Sequence, residues 1–203
     1  MKLIDKLKNK EQREKIFFLC SLFTTLGFAV YNGIAGIIYS LSWNTSVAIY
    51  YVFLFLLRIS TCLKSHNKVL NNIISFFFFL LNLSLVVPIS LLALHEKIVK
   101  IDMILSITVA TYTTYKVTKA IMNILSKKKS KRLEDKEKFT LNLIDALVSV
   151  LNLQNTLITV NGDNSKDMLN LSIISSFIIY ILIIIITLIF IKYKRKIINN
   201  KSV

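Results

Sequence analysis

"NLSIISSFIIYILIIIITLIFI", residues 170 to 191, decides the class of fold. About 20 mostly apolar residues are enough for a helix to cross the hydrocarbon core of a bilayer. From Phe177 to Ile191 only Thr187 interrupts the apolar run, so every side of this helix tolerates lipid. Alternation with period two, the mark of a barrel strand, is absent from it.

Five more windows of this kind precede it, at residues 16–41, 46–63, 70–94, 101–126 and 138–160. The chain has 203 residues, 54% of them apolar, and its mean hydropathy is +0.61. A backbone in lipid must satisfy its own polar groups, which leaves helices or closed barrels. The expectation is an all-α, polytopic integral membrane protein with six transmembrane helices over residues 16–191. A basic segment, 1–15, precedes them and a basic tail, 192–203, follows. The apolar run after residue 15 is too long for a signal-peptide core and lacks a small-residue cleavage site, so it reads as a first span.

The net charge is +15, and its placement matters more than its size. Lys2, Lys6, Lys8, Lys10, Arg13 and Lys15 precede span one, and Lys64 and Lys68 follow span two. The link at 127–138 holds Lys127, Lys128, Lys129, Lys131, Arg132, Lys136 and Lys138. Lys192, Lys194, Arg195, Lys196 and Lys201 follow span six. The other links hold only Lys97, Lys100 and Lys166. Positive residues collect on the cytoplasmic side, so both termini are expected inside, in a bacterial cytoplasmic membrane. These clusters suit anionic lipid headgroups rather than nucleic acid.

Within the spans the polar residues form stripes. In "KFTLNLIDALVSVLNLQNTL", residues 138 to 157, Asn142, Asp145, Ser149, Asn152 and Thr156 step by three and four. That spacing puts them on one helix face. Thr108, Thr111, Tyr112, Tyr115, Thr118 and Lys119 cluster on one side of span four, and Ser21, Thr25, Asn32 and Tyr39 on span one. Asn71, Ser75 and Asn82 share a side of span three. Span one also carries Ala29 with Gly33, and Gly36 with Ser40, spacings that let helix backbones approach closely. Pro88 should kink span three.

Charge inside a span is expensive. At about 1.5 Å per residue, Asp145 lies roughly 10 Å from Lys138, and Arg58 roughly 9 Å from Lys64. Lys119 and Lys116 lie roughly 12 and 16 Å from Lys127. These four charges therefore share one layer, and Asp145 is the only acid expected within any span. Arg58 and Lys119 are long enough to snorkel to the interface, but aspartate is too short, so it needs a cation, a proton or water.

The expected function is a small multi-pass transporter or channel-like permease. Spans one, four and five line its polar pathway, with Asp145, Arg58, Lys116, Lys119, Asn142, Ser149, Asn152, Asn32 and Tyr115 along it. One acid against three bases favours a solute with an anionic group. No catalytic, cofactor or metal role is expected. His66 and His95 fall at opposite membrane faces, Cys20 and Cys62 read as buried free thiols, and hydrolase and phosphate-loop motifs are missing. Size, span count and the small-residue spacing of span one are similar to those of the substrate-binding membrane subunits of energy-coupling-factor transporters. That resemblance implies a partner ATPase and a coupling protein. It supports an alternative: an accessory or substrate-binding subunit of a larger membrane complex. A structural, lipid-binding protein is a third reading, and a homo-oligomer suits a pore. "YNGIAGIIYSLS" from Tyr31 and "YKVTKAIMNILS" from Tyr115 share spaced Tyr, Ile, Leu and Ser. They suggest a 3+3 inverted repeat, since an odd number of spans reverses direction.

Overall fold

The computed structural model describes residues 10–38, 42–62, 68–93, 103–126, 133–161 and 166–199. Every described residue except Leu85 is helical. The helices are α1 (Lys10–Ile38), α2 (Ser42–Cys62), α3 (Lys68–Ser84), α4 (Val86–Ala93), α5 (Met103–Ser126), α6 (Leu133–Asn161) and α7 (Lys166–Asn199). Five stretches are long and apolar enough to cross a membrane: Phe18–Ile38, Ser42–Thr61, Ile73–Ser90, Asp135–Ile158 and Asn170–Ile197. The helix α5 is long enough, but Lys116, Lys119, Asn123 and its many hydroxyls keep it out of that group. Tyr39, Ser40, His66, His95 and the basic residues 127–132 lie outside the described residues.

Proline explains the division between α3 and α4. Pro88 has no N–H to offer the carbonyl of Ser84, and its ring crowds that carbonyl. The chain breaks at Leu85, whose N–H turns back to Asn82 O at 3.2 Å. The break falls within one helical turn of the proline, and Ile73–Ser90 runs across it as a single stretch long and apolar enough to cross a membrane.

Two helices end later or start earlier than their sequence suggests. The link expected at 127–138 is already helical from Leu133, and α7 runs to Asn199 rather than ending near 191. Charged residues at a membrane surface do not end a helix; they only mark where lipid ends.

The helix α2 packs against α1, α3, α4 and α6, and α6 packs against α5, α7 and α2. The ring closes where α7 meets α3 and α4. Exchanging α1, α2 and α3–α4 for α5, α6 and α7 leaves this pattern unchanged. The core lies between α2, α3, α6 and α7, where Tyr50, Leu54, Leu57, Phe78, Leu81, Ile144 and Ile183 are fully buried. Phe23, Ile37, Phe79 and Leu188 face outward, as a bundle with an apolar periphery requires.

Glycine sets the approach of α1 to α2. A Cβ on Gly36 would lie 2.8 Å from the backbone nitrogen of Thr45, and one on Gly33 would lie 3.8 Å from Ala48 Cβ. The small residues of span one therefore face α2 and draw the two backbones together.

Candidate functional site

The polar stripe of α6 faces α2 and makes a ladder along it. Asn152 Oδ1 accepts a hydrogen bond from Trp43 Nε1 at 3.3 Å. Ser149 Oγ and the Tyr51 hydroxyl lie 3.4 Å apart. Farther along, Arg58 Nη2 donates to Asn142 Oδ1 at 3.3 Å and to Asp145 Oδ2 at 2.7 Å. Numbers rise along α6 as they fall along α2, so the two helices are antiparallel.

The last rung is a charge cluster. Asp145 Oδ2 also accepts from Lys116 Nζ of α5. Arg58 reaches the other way to α1, where Nη1 donates to the Ser21 carbonyl at 3.3 Å and to its hydroxyl. Asp145, Arg58 and Lys116 are 0%, 3% and 5% exposed, so the carboxylate bridges two cations away from water. The planar, multi-donor guanidinium makes this possible, because one side chain serves α1 and α6 together.

Around the cluster, Lys116 Nζ sits 4.9 Å from the centre of the Tyr112 ring. That ring stacks on Phe28 of α1 with centroids 3.4 Å apart. Thr113 Oγ1 donates to Ser149 O at 3.1 Å, and Ser149 Oγ to Asp145 O at 2.7 Å. Among the described residues, Asp145 Oδ1, Arg58 Nε and the Tyr50 hydroxyl are buried without a hydrogen bond. One acid between two bases leaves a net charge of +1, enclosed by phenols and amides.

No family model matches this chain, and no curated protein or solved structure is significantly similar to it.

Not every residue picked from the sequence joins the cluster. Asn32 is buried, but its amide returns to Phe28 O at 2.8 Å within its own helix. Among the described residues Lys119 does not pair with Asp145, and its Nζ lies 5.6 Å from the centre of the Tyr115 ring. Tyr115 is 47% exposed and faces outward, as do Thr108, Thr111 and Thr118. The side of α5 expected to line the interior is therefore split. Of that side Tyr112 turns in, joined by Thr113 and Lys116 from beside it; Lys119 is half-buried, and Thr108, Thr111, Tyr115 and Thr118 turn out. Hydroxyls permit this: Thr111 and Thr114 donate to the carbonyls four residues back at 2.8 and 2.9 Å, so they need no partner outside the helix.

Three expectations need correction. Cys20 is exposed rather than buried; the Cys62 side chain lies outside the described residues. Asp145 is not the only acid on a span, because α6 begins early enough to include Glu137. That carboxylate is buried and lies 3.8 Å from buried Lys194 of α7. The sequence clue was a Glu one helical turn from the first apolar residues of α6. Finally, the polar contacts around the cluster come from α2 as well as from α1, α5 and α6, since Arg58, Tyr51 and Trp43 all lie on it.

Proposed function

We propose that this chain is a small six-span permease for solutes with an anionic group, and that Arg58, Asp145 and Lys116 form its closed gate. The observation that carries the reading is that Asp145, fully buried, ties Arg58 of the first three spans to Lys116 of the last three. An intramembrane carboxylate between two bases is costly to keep, and such residues mark solute and ion paths. Its excess positive charge favours an anion. Motion of one half against the other separates Arg58 from Asp145 and opens the α2–α6 seam.

Two observations support counting α5 as a span. Lys116 pairs with Asp145 and Thr113 with Ser149, so α5 runs antiparallel beside α6 at the same level. With α2 also antiparallel to α6, the chain must cross an even number of times between them, as α3–α4 and α5 do. The exchange symmetry of the packing supports a 3+3 inverted repeat. The basic ends then share one side, cytoplasmic by the positive-inside rule.

Proteoliposomes loaded with radiolabelled chloride, phosphate or acetate test the reading. Efflux above that of protein-free liposomes, made faster by Asp145→Asn, is the expected result. Efflux equal to that of empty liposomes for both proteins and all three anions overturns it.

The outward face of α5 favours a second reading. Thr108, Thr111, Thr114, Tyr115 and Thr118 form an exposed strip in which short side chains predominate, suited to close packing against a helix of another membrane protein. On that reading the chain is an accessory subunit, in the manner of an energy-coupling-factor complex. Purification from native membrane in mild detergent decides: a stoichiometric second protein supports it, and a chain that purifies alone opposes it.

A further inference from the structure

The helices α5 and α7 both pack on α6 but do not pack on each other. They leave a groove at the basic end of the bundle, with α6 as its floor. The cavity there is about 430 Å³, within the roughly 300–1,000 Å³ of small-ligand sites. Phe139 and Leu143 form the floor, and Ile186 and Phe190 one wall. Ile124 and Ile189 stand on its two lips, 40% and 65% exposed, so the groove opens sideways toward lipid.

Its mouth is chemically different. Lys136 lines it with Nζ 3.7 Å from the centre of the Tyr193 ring. No carboxylate pairs with Lys136 among the described residues. Lys196 is exposed and follows Ile189 and Tyr193 at seven and three residues, which places it on the same side of α7. Asp135 also lines the mouth, but it already takes part in a polar or ionic contact.

We propose that this groove holds one anionic phospholipid, its phosphate at Lys136 and Lys196 and the upper part of one acyl chain along Phe139, Leu143 and Ile189. An acyl chain gains little by leaving lipid for an apolar groove. Selectivity therefore comes from the headgroup charge, and the walls set where the chain lies. A tyrosine at the headgroup level fits the interfacial preference of aromatic rings. The site is separate from the Arg58–Asp145–Lys116 cluster and does not depend on the permease reading.

Native mass spectrometry of the purified protein with equal amounts of phosphatidylglycerol and phosphatidylcholine tests it. The wild type should retain phosphatidylglycerol preferentially, and Lys136→Gln should lower that preference by about fivefold, the worth of one juxtamembrane lysine. Ile189→Trp, which fills the groove, should lose bound lipid of both kinds. Lys136→Arg should keep the preference, which separates a lost charge from a misfolded protein. Equal retention of the two lipids by the wild type overturns the proposal. A preference that survives both Lys136→Gln and Ile189→Trp also overturns it, because the other basic segments then account for it.

Discussion

Asp145 is held by two cations on one oxygen, and neither cation has another carboxylate among the described residues. Removing the acid leaves a buried guanidinium and a buried ammonium facing each other. Breaking a buried pair in this way costs about 3–5 kcal/mol. Asp145→Ala should therefore lower the thermal unfolding midpoint in detergent sharply. Replacing all three charges with Leu or Met should recover most of the loss, since buried ion pairs are often no better than apolar packing of equal volume. Arg58→Lys is not conservative here. An ammonium cannot span Ser21, Asn142 and Asp145 together, so the unfolding midpoint should fall although the charge is kept. The presence of Asp145 in an apolar helix was legible from the sequence, and so was the shortlist of Arg58 and the lysines as partners. That both Arg58 and Lys116 share it was not, because depth along a helix says nothing of which neighbours meet.

Helix pairing turns on smaller residues. At Gly36 any added carbon meets the backbone of α2, whereas Gly27 has open space around it. Gly36→Ala should cost about 1–3 kcal/mol through forced separation of α1 and α2. Gly27→Ala should be neutral or stabilise by up to about 1 kcal/mol, the ordinary helix preference for alanine. Equal effects of the two changes on the unfolding midpoint would contradict the packing described. The stripe of α6 was visible as a spacing of three and four, and its direction toward α2 follows only from the fold. The stripe of α5 misled for a physical reason. Threonine closes its own hydrogen bond to the preceding turn, so a row of threonines does not by itself mark a buried face. Glu137 was missed for another: basic residues on either side made it look like part of a solvated link.

For the molecule as a whole, hydropathy carried most of the fold. Long apolar runs gave helices, and five of them are long and apolar enough to cross a membrane. The α5 helix is the exception, because its polar residues are spent on contacts with α6 and on its own backbone. What hydropathy could not give is the arrangement of α1 to α4 and of α5 to α7 about the α2–α6 seam. Polar contacts fill that seam from Trp43–Asn152 to Arg58–Asp145. If the cluster is a gate, the seam above it becomes wet when the cluster is broken. Ser149 is 1% exposed and lies one helical turn from Asp145. In a protein with Cys20 and Cys62 replaced by Ser, Ser149→Cys should react slowly with a membrane-impermeant thiol reagent. Adding Asp145→Asn should speed the reaction, while a cysteine at Ile183, buried away from the seam, stays protected in both backgrounds. Unchanged protection at 149, or equal exposure at 149 and 183, would contradict a gate at Asp145.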